Sequence, residues 1–131
     1  MFLRRMSQLF EVVIFTASIP KYANAIMDIL DPTGYCSSRL YRNNCSMVSN
    51  VFVKNLYKVG RNLSDLIILD NSPISYLMNY ENALPIKTWL DDKNDIELYK
   101  YLRLLEYLAD VDDVRDEIGR LVDRRKEVVD F

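Results

Sequence analysis

Histidine is absent from the 131 residues. Its absence removes Ser-His-Asp triads, Cys-His pairs, His-Glu-x-x-His zinc sites and imidazole acid/base chemistry together. Any catalysis must run on carboxylates, lysine, arginine, hydroxyls or a hard metal ion. Glycine and proline are scarce, at three and four residues, while half the chain is hydrophobic and 27% is charged. Collagen-like, low-complexity and wholly disordered chains are excluded on that balance. There are two cysteines, Cys36 and Cys45, too few for a disulfide framework, a Cys-x-x-Cys motif or a zinc quartet. The pair could bridge, but the expectation is free thiols in a reducing compartment. Long apolar runs are also missing. Val12 to Phe15 and Leu66 to Leu69 are short, whereas a membrane-spanning helix needs about 20 apolar residues. Arg4-Arg5 before Leu9-Phe10 mimics a signal peptide weakly, and Glu11 interrupts the run. Finally, 17 basic against 19 acidic residues give a net charge of -2, without the basic balance of a general nucleic-acid binder.

What is present amounts to one domain's worth of chain, or part of a domain. No repeat or linker is visible, and pattern reading gives alternating strands and helices. Phe2, Leu3, Met6, Leu9 and Phe10 form a helical stripe. Val12 to Thr16 is continuous and β-branched, a strand covered on both faces. Ser18 could cap a helix entered at Ile19-Pro20 and stopped at Asp31-Pro32-Thr33-Gly34. Short strands are predicted at Arg39–Tyr41 and Val51–Val53. A buried strand is predicted at Leu66–Leu69, running into Asp70-Asn71-Ser72-Pro73, and a third strand at Asn82–Ile86. Asp95–Ala109 and Val111–Val122 read as amphipathic helices, the second with a polar, frayed end at Arg124 to Glu127. Continuous apolar strands alternating with helices argue for an α/β fold with a parallel sheet. Ligands of such sheets sit beyond the carboxyl ends of the strands. Thr16-Ala17-Ser18 and Asp70-Asn71-Ser72 both fall there.

These two strand ends, with Lys54, carry chemistry. A hydroxyl at a helix start holds a phosphate oxygen, and a lysine supplies a point charge. An aspartate and an amide oxygen are hard ligands suited to Mg²⁺. Together they make the parts of a phosphoryl-transfer site. Each residue also has an ordinary reading: helix start for Thr16, solvated cation for Lys54, turn former for Asp70.

Phe15-Thr16-Ala17-Ser18, Val53-Lys54-Asn55-Leu56 and Ile68-Leu69-Asp70-Asn71-Ser72-Pro73 resemble the second, third and fourth motifs of the small CTD-phosphatase family. These are relatives of the RNA polymerase II C-terminal-domain phosphatases within the haloacid dehalogenase superfamily. Phe2-Leu3-Arg4-Arg5-Met6, Leu40-Tyr41-Arg42-Asn43-Asn44-Cys45, Asn82-Ala83-Leu84-Pro85-Ile86 and Trp89 with Asp91-Asp92 also resemble family segments. The resemblance implies a three-layer haloacid-dehalogenase-like sandwich, with a partial phosphatase domain over 1–122 and a polar tail over 123–131. It implies a Mg²⁺-dependent phosphoserine/phosphothreonine phosphatase working through an aspartyl-phosphate. A phosphoprotein, such as an RNA polymerase II C-terminal-domain-like peptide, would be the partner, with no direct nucleic-acid contact and no membrane span in this chain. Thr16 would bind the transferred phosphate and Lys54 would neutralise it, at a cost of roughly 10²-fold or more in rate if lost. Asp70 and Asn71 would hold the metal. Ser18, Ile19, Lys21, Tyr22 and Arg42 would face the substrate. An intracellular location, nuclear or cytoplasmic, is implied.

The family's first motif, Asp-x-Asp-x-Thr on the central strand, has no counterpart here. Asp110-Val111-Asp112-Asp113-Val114 matches formally but reads as a helix start. The expectation is therefore an incomplete sheet lacking its central first strand, and an inactive, truncated product without the attacking and proton-transferring aspartates. The family's apolar insertion after that motif is likewise missing, and Asn43 replaces a family glutamate. The alternative is a non-catalytic relative resembling the mitochondrial inner-membrane import receptor that shares this domain, close to it at Leu105-Glu106-Tyr107-Leu108-Ala109. Thr16 and Asn71 favour the enzyme.

Overall fold

A computed structural model describes residues 2–86 and 97–128. Trp89, Asp91-Asp92, the first residues of the helix predicted from Asp95, and the end of the polar tail at 129–131 lie outside the described residues. The chain divides into two compact units, Met1–Lys54 and Asn55–Phe131. Helices and small sheets, parallel and antiparallel, make an α/β fold.

The first unit opens with α1 (Phe2–Leu9), whose apolar stripe buries Met6. Strand β1 (Val13–Phe15) leads into α2 (Pro20–Leu30) and back to β2 (Ser38–Leu40), a parallel neighbour of β1 with Ile14 opposite Arg39. Pro20 occupies the first helical position, where its missing N–H needs no partner. Ile19, not Ser18, is the residue before the helix, and it offers no side-chain cap. Beyond the helix, Asp31 accepts the N–H groups of Tyr35 and Cys36, at 2.8 and 2.9 Å. Gly34, at φ 78°, allows the chain to turn there. Val13, Ile14 and Phe15 are only half-buried, unlike a strand covered on both faces. The reason is local: β1 has a ladder with β2 alone among the described residues.

After a 3-10 turn at Arg42–Asn44, β3 (Ser46–Val48) and β4 (Val51–Val53) form an antiparallel hairpin. Val48 pairs with Val51 across a two-residue reversal, and Ser49 and Asn50 both have positive φ. This reversal matches strand twist well. β3 lies outside the sequence expectation.

In the second unit, β5 (Ile68–Asp70) and β6 (Ala83–Pro85) pair in parallel, with Asp70 opposite Pro85. β5 starts two residues later than the predicted strand, and Asp70 is its last residue. Leu56, Ile68, Tyr76 and Ala83 form its core cluster, with Val59, Leu63 and Leu66 packed against it. Buried amides replace missing backbone partners. Asn79 accepts the Leu56 N–H, and Asn82 donates to the carbonyls of Leu63 and Leu66. The helix predicted to Ala109 is broken into α3 (Glu97–Lys100) and α4 (Leu102–Leu108). Tyr101 makes the break, donating its N–H to Leu98 three residues back and its hydroxyl to the Pro85 carbonyl. α5 runs from Val114 to Val128, beginning three residues later than predicted and extending through the stretch read as frayed. Asp113 precedes it and accepts the Arg115 N–H at 2.9 Å, satisfying a helix-start donor. The formal Asp110-x-Asp112 match thus lies in the loop before a helix.

Candidate functional site

Thr16 directly follows β1. Its N–H extends the ladder to the Leu40 carbonyl at 2.9 Å, and its Oγ1 accepts the Ser18 N–H at 3.0 Å. The hydroxyl therefore shapes the loop between strand and helix, and the α2 N-terminus, with its partial positive charge, follows at once. Arg42 braces this loop twice. Its Nε donates to the Ala17 carbonyl at 2.8 Å, and its backbone N–H donates to the Ser18 carbonyl at 3.0 Å. The turn holding Arg42 is fixed in turn by Asn44, whose Oδ1 accepts the Tyr41 N–H at 2.8 Å.

Lys54 follows β4 immediately. Its Nζ stands 6.0 Å from the centre of the Phe15 ring, and the Arg42 guanidinium stands 5.2 Å from that of Phe52. Such stacking is worth about 0.5–1 kcal/mol at accessible sites. Cys45 lies among these groups, with Sγ 4.0 Å from the Thr16 carbonyl oxygen. Burial pushes its thiol up, while the nearby charges of Lys54 and Arg42 pull it down. The first unit thus joins Thr16, Ser18 and Arg42 in one braced loop, with Cys45 against the Thr16 carbonyl and within the field of Arg42 and Lys54: a hydroxyl, a braced loop and two cations. That set can hold an anion such as a phosphoryl group. Ile19, Lys21 and Tyr22 are exposed at the start of α2, with the Lys21 ammonium over the Tyr22 ring at 5.8 Å.

Asp70 and Asn71 lie in the second unit, at the carboxyl end of β5. Asp70 is buried, and its Oδ1 accepts the Ser72 N–H at 2.9 Å, while Asn71 is exposed. Both carry hard oxygens. Among the described residues no group of three or more His, Cys, Asp or Glu forms a metal cluster. A polar depression of about 470 Å³ in this unit, lined by Glu81, Asp113, Arg115, Asp116, Gly119 and Arg120, contains none of the predicted residues. Its Arg115 is paired with Asp113 at 2.8 Å, in a structural role at the start of α5.

A family model described as NLI interacting factor-like phosphatase matches residues 1–115. The chain belongs to the NLI interacting factor-like phosphatase family. Among relatives, it is 46% identical over 120 residues to the mouse carboxy-terminal domain RNA polymerase II polypeptide A small phosphatase 2, covering 92% of this chain and 44% of that protein. It is 46% identical over 123 residues to the human CTD small phosphatase-like protein, covering 94% and 45%. It is 43% identical over 117 residues to the Dictyostelium discoideum CTD small phosphatase-like protein 2, covering 89% and 21%. The chain spans less than half the length of these relatives. The family match takes in Thr16, Lys54 and Asp70. Sequence reading missed the rings under the two cations and the position of Cys45. No local pattern signals these contacts, which join Lys54 to Phe15 and Arg42 to Phe52 across separate elements.

Proposed function

We propose that this chain is the phosphate-holding portion of a protein serine/threonine phosphatase domain. Each of its two parallel strand pairs, taken by itself, is of the kind from which a haloacid-dehalogenase-like fold is built. The observation that carries the reading is the grouping of Thr16, Arg42 and Lys54 beyond strand ends in a member of a phosphatase family. Thr16 accepts the role of phosphoryl ligand, and Lys54 balances the charge of the phosphoryl oxygens. Arg42 holds the loop and lends a second positive charge toward a phosphorylated side chain. Ser18, Ile19, Lys21 and Tyr22 contact the residues next to it.

Hard oxygens on Asp70 and Asn71 fit Mg²⁺, which accepts few protein ligands and keeps several waters. Bound there, Mg²⁺ would supply a concentrated positive charge and a Lewis acid. The reaction of the family type needs one aspartate to attack phosphorus and form an aspartyl-phosphate, and a second to protonate the departing hydroxyl and then activate water. Asp70, the one aspartate on a described strand, is assigned here to the metal, and Asp110 and Asp112 lie outside the described strands, so neither role has a candidate there. The polymerase tail named for the relatives is the class of phosphoprotein to test first.

The test is titration calorimetry with a phosphoserine peptide of that composition, with Mg²⁺ present, alongside a phosphate-release assay. The 131-residue chain should bind the phosphorylated peptide in preference to its unphosphorylated form and release no phosphate. Lys54→Ala should weaken binding about tenfold or more, the scale of a lost charge-assisted contact. Unchanged affinity in Lys54→Ala and Thr16→Val would overturn the assignment. Measurable turnover would overturn the absence of a nucleophile.

A further inference from the structure

Helix α2 is fixed by little apolar contact. Only Ala23 and Met27 are buried, one small and one pliable. Its outward stripe, Ile19, Tyr22, Ile26, Ile29 and Leu30, is exposed. Polar side chains supply the register that so thin a core leaves open. Arg39 and Tyr41 stand two residues apart along extended backbone, on one side of the chain, and both reach α2. The Asn24 Oδ1 accepts from Arg39 Nη1 at 2.8 Å and from the Tyr41 hydroxyl at 2.6 Å. The same Arg39 nitrogen donates to Asp28, about one helical turn on, at 2.9 Å. A guanidinium only donates, so it fixes the amide oxygen toward itself, and the Tyr41 hydroxyl must donate to that oxygen. These four residues belong to the first unit, as does Thr16.

Tyr41 and Arg42 are consecutive, and between them they hold both sides of the α2 start. Arg42 donates to the Ala17 and Ser18 carbonyls in the loop before the helix. Tyr41 holds Asn24, inside the helix. Asn44 fixes the dipeptide, accepting the Tyr41 N–H and donating its own N–H to the Tyr41 carbonyl, both at 2.8 Å. We propose that Tyr41 and Asn24 are positioning residues for phosphate capture. Their hydrogen bond sets where the Thr16–Ser18 loop and the α2 N-terminus stand relative to Arg42, and neither side chain needs to touch the peptide. The role rests on the assignment, made above, of that loop to a phosphoryl group. Tyr41→Phe isolates it, because the Asn24 oxygen keeps its bond from Arg39 and is not left unpaired.

The test is titration calorimetry of the 131-residue chain with a phosphoserine peptide and its unphosphorylated form, alongside the NMR amide signals of Ala17 and Ser18. The ratio of the two affinities should fall about threefold in Tyr41→Phe and about tenfold in Asn24→Ala, the scale of one and two lost hydrogen bonds. The double variant should match Asn24→Ala, since both changes remove the same bond. The Ala17 and Ser18 signals should move in each. Circular dichroism melting sets a temperature at which every variant is folded. If Asn24→Ala loses its helices, Tyr41→Phe is read alone, with the same threefold expectation. A wild-type chain without preference for the phosphorylated peptide overturns the reading of the loop and this role with it. A wild-type preference that survives unchanged in the variants overturns the positioning role alone, whatever their melting temperatures. Additive losses in the double variant do the same, as do Ala17 and Ser18 signals that stay in place.

Discussion

Asp31 stabilises the loop after α2 through its charge. It is 3% exposed, and both carboxylate oxygens accept backbone N–H groups. The Cys36 N–H, aided by that of Tyr35, holds its carboxyl below the usual carboxylate range against the opposing pull of desolvation. The contribution is therefore present above the unfolded value, about pH 4, and is lost as pH falls through the lower folded value. Urea denaturation should show Asp31→Asn clearly less stable than wild type at pH 5, with the gap narrowing toward pH 3. Cys36 responds in the opposite sense. Burial, reinforced by the neighbouring Asp31 carboxylate, pushes its thiol up to about 11. It is protonated at neutral pH. Iodoacetamide should alkylate it about 10²-fold more slowly at pH 7.5 than a free thiol, followed by mass spectrometry. Its share of stability holds below the unfolded thiol's value and falls away as pH rises toward about 11.

Among the elements, the β3–β4 hairpin is the most exposed to a single change. Ser49 at φ 48° and Asn50 at φ 66° both occupy left-handed backbone. Asparagine tolerates this region, serine less well, and glycine without cost. Ser49→Gly should raise stability by about 0.5–1 kcal/mol, and Asn50→Val should lower it by about 1–2 kcal/mol, read by thermal melting. The hairpin also shows where pattern reading reached its limit. Val51–Val53 was legible as an apolar run, but Ser46–Val48 is a strand because β4 pairs with it, and pairing leaves no period in so short a segment. α1 and α2 were legible from a 3.6-residue stripe, from Pro20 and from the Asp31-to-Gly34 stop. Tyr101 broke a predicted helix through its tether to Pro85, a contact distant in sequence. Thr16, Lys54 and Asp70 were visible as a spaced set resembling a family. The bracing of Ala17 by Arg42 and the rings beneath the cations arise only from tertiary packing. Ser18 was misread because Pro20 and the Thr16 hydroxyl already settle the loop without it.

For the molecule as a whole, burial is uneven between its two units. Leu84, Leu105, Leu108, Val114 and Ile118 are almost wholly inaccessible in the second, against Met6, Ala23, Met27 and Val53 in the first. Leu108→Ala should cost about 2–4 kcal/mol by denaturant titration, the usual range for a fully buried leucine. Native-state hydrogen exchange should show the β1–β2 amides opening at lower free energy than those around Leu105 and Ile118. The outward stripe of α2 has a consequence at this scale. Its leading members, Ile19 and Tyr22, are exposed at the entry to the helix and are the ones assigned above to peptide contact, so whatever comes to rest on this side of α2 evicts the peptide.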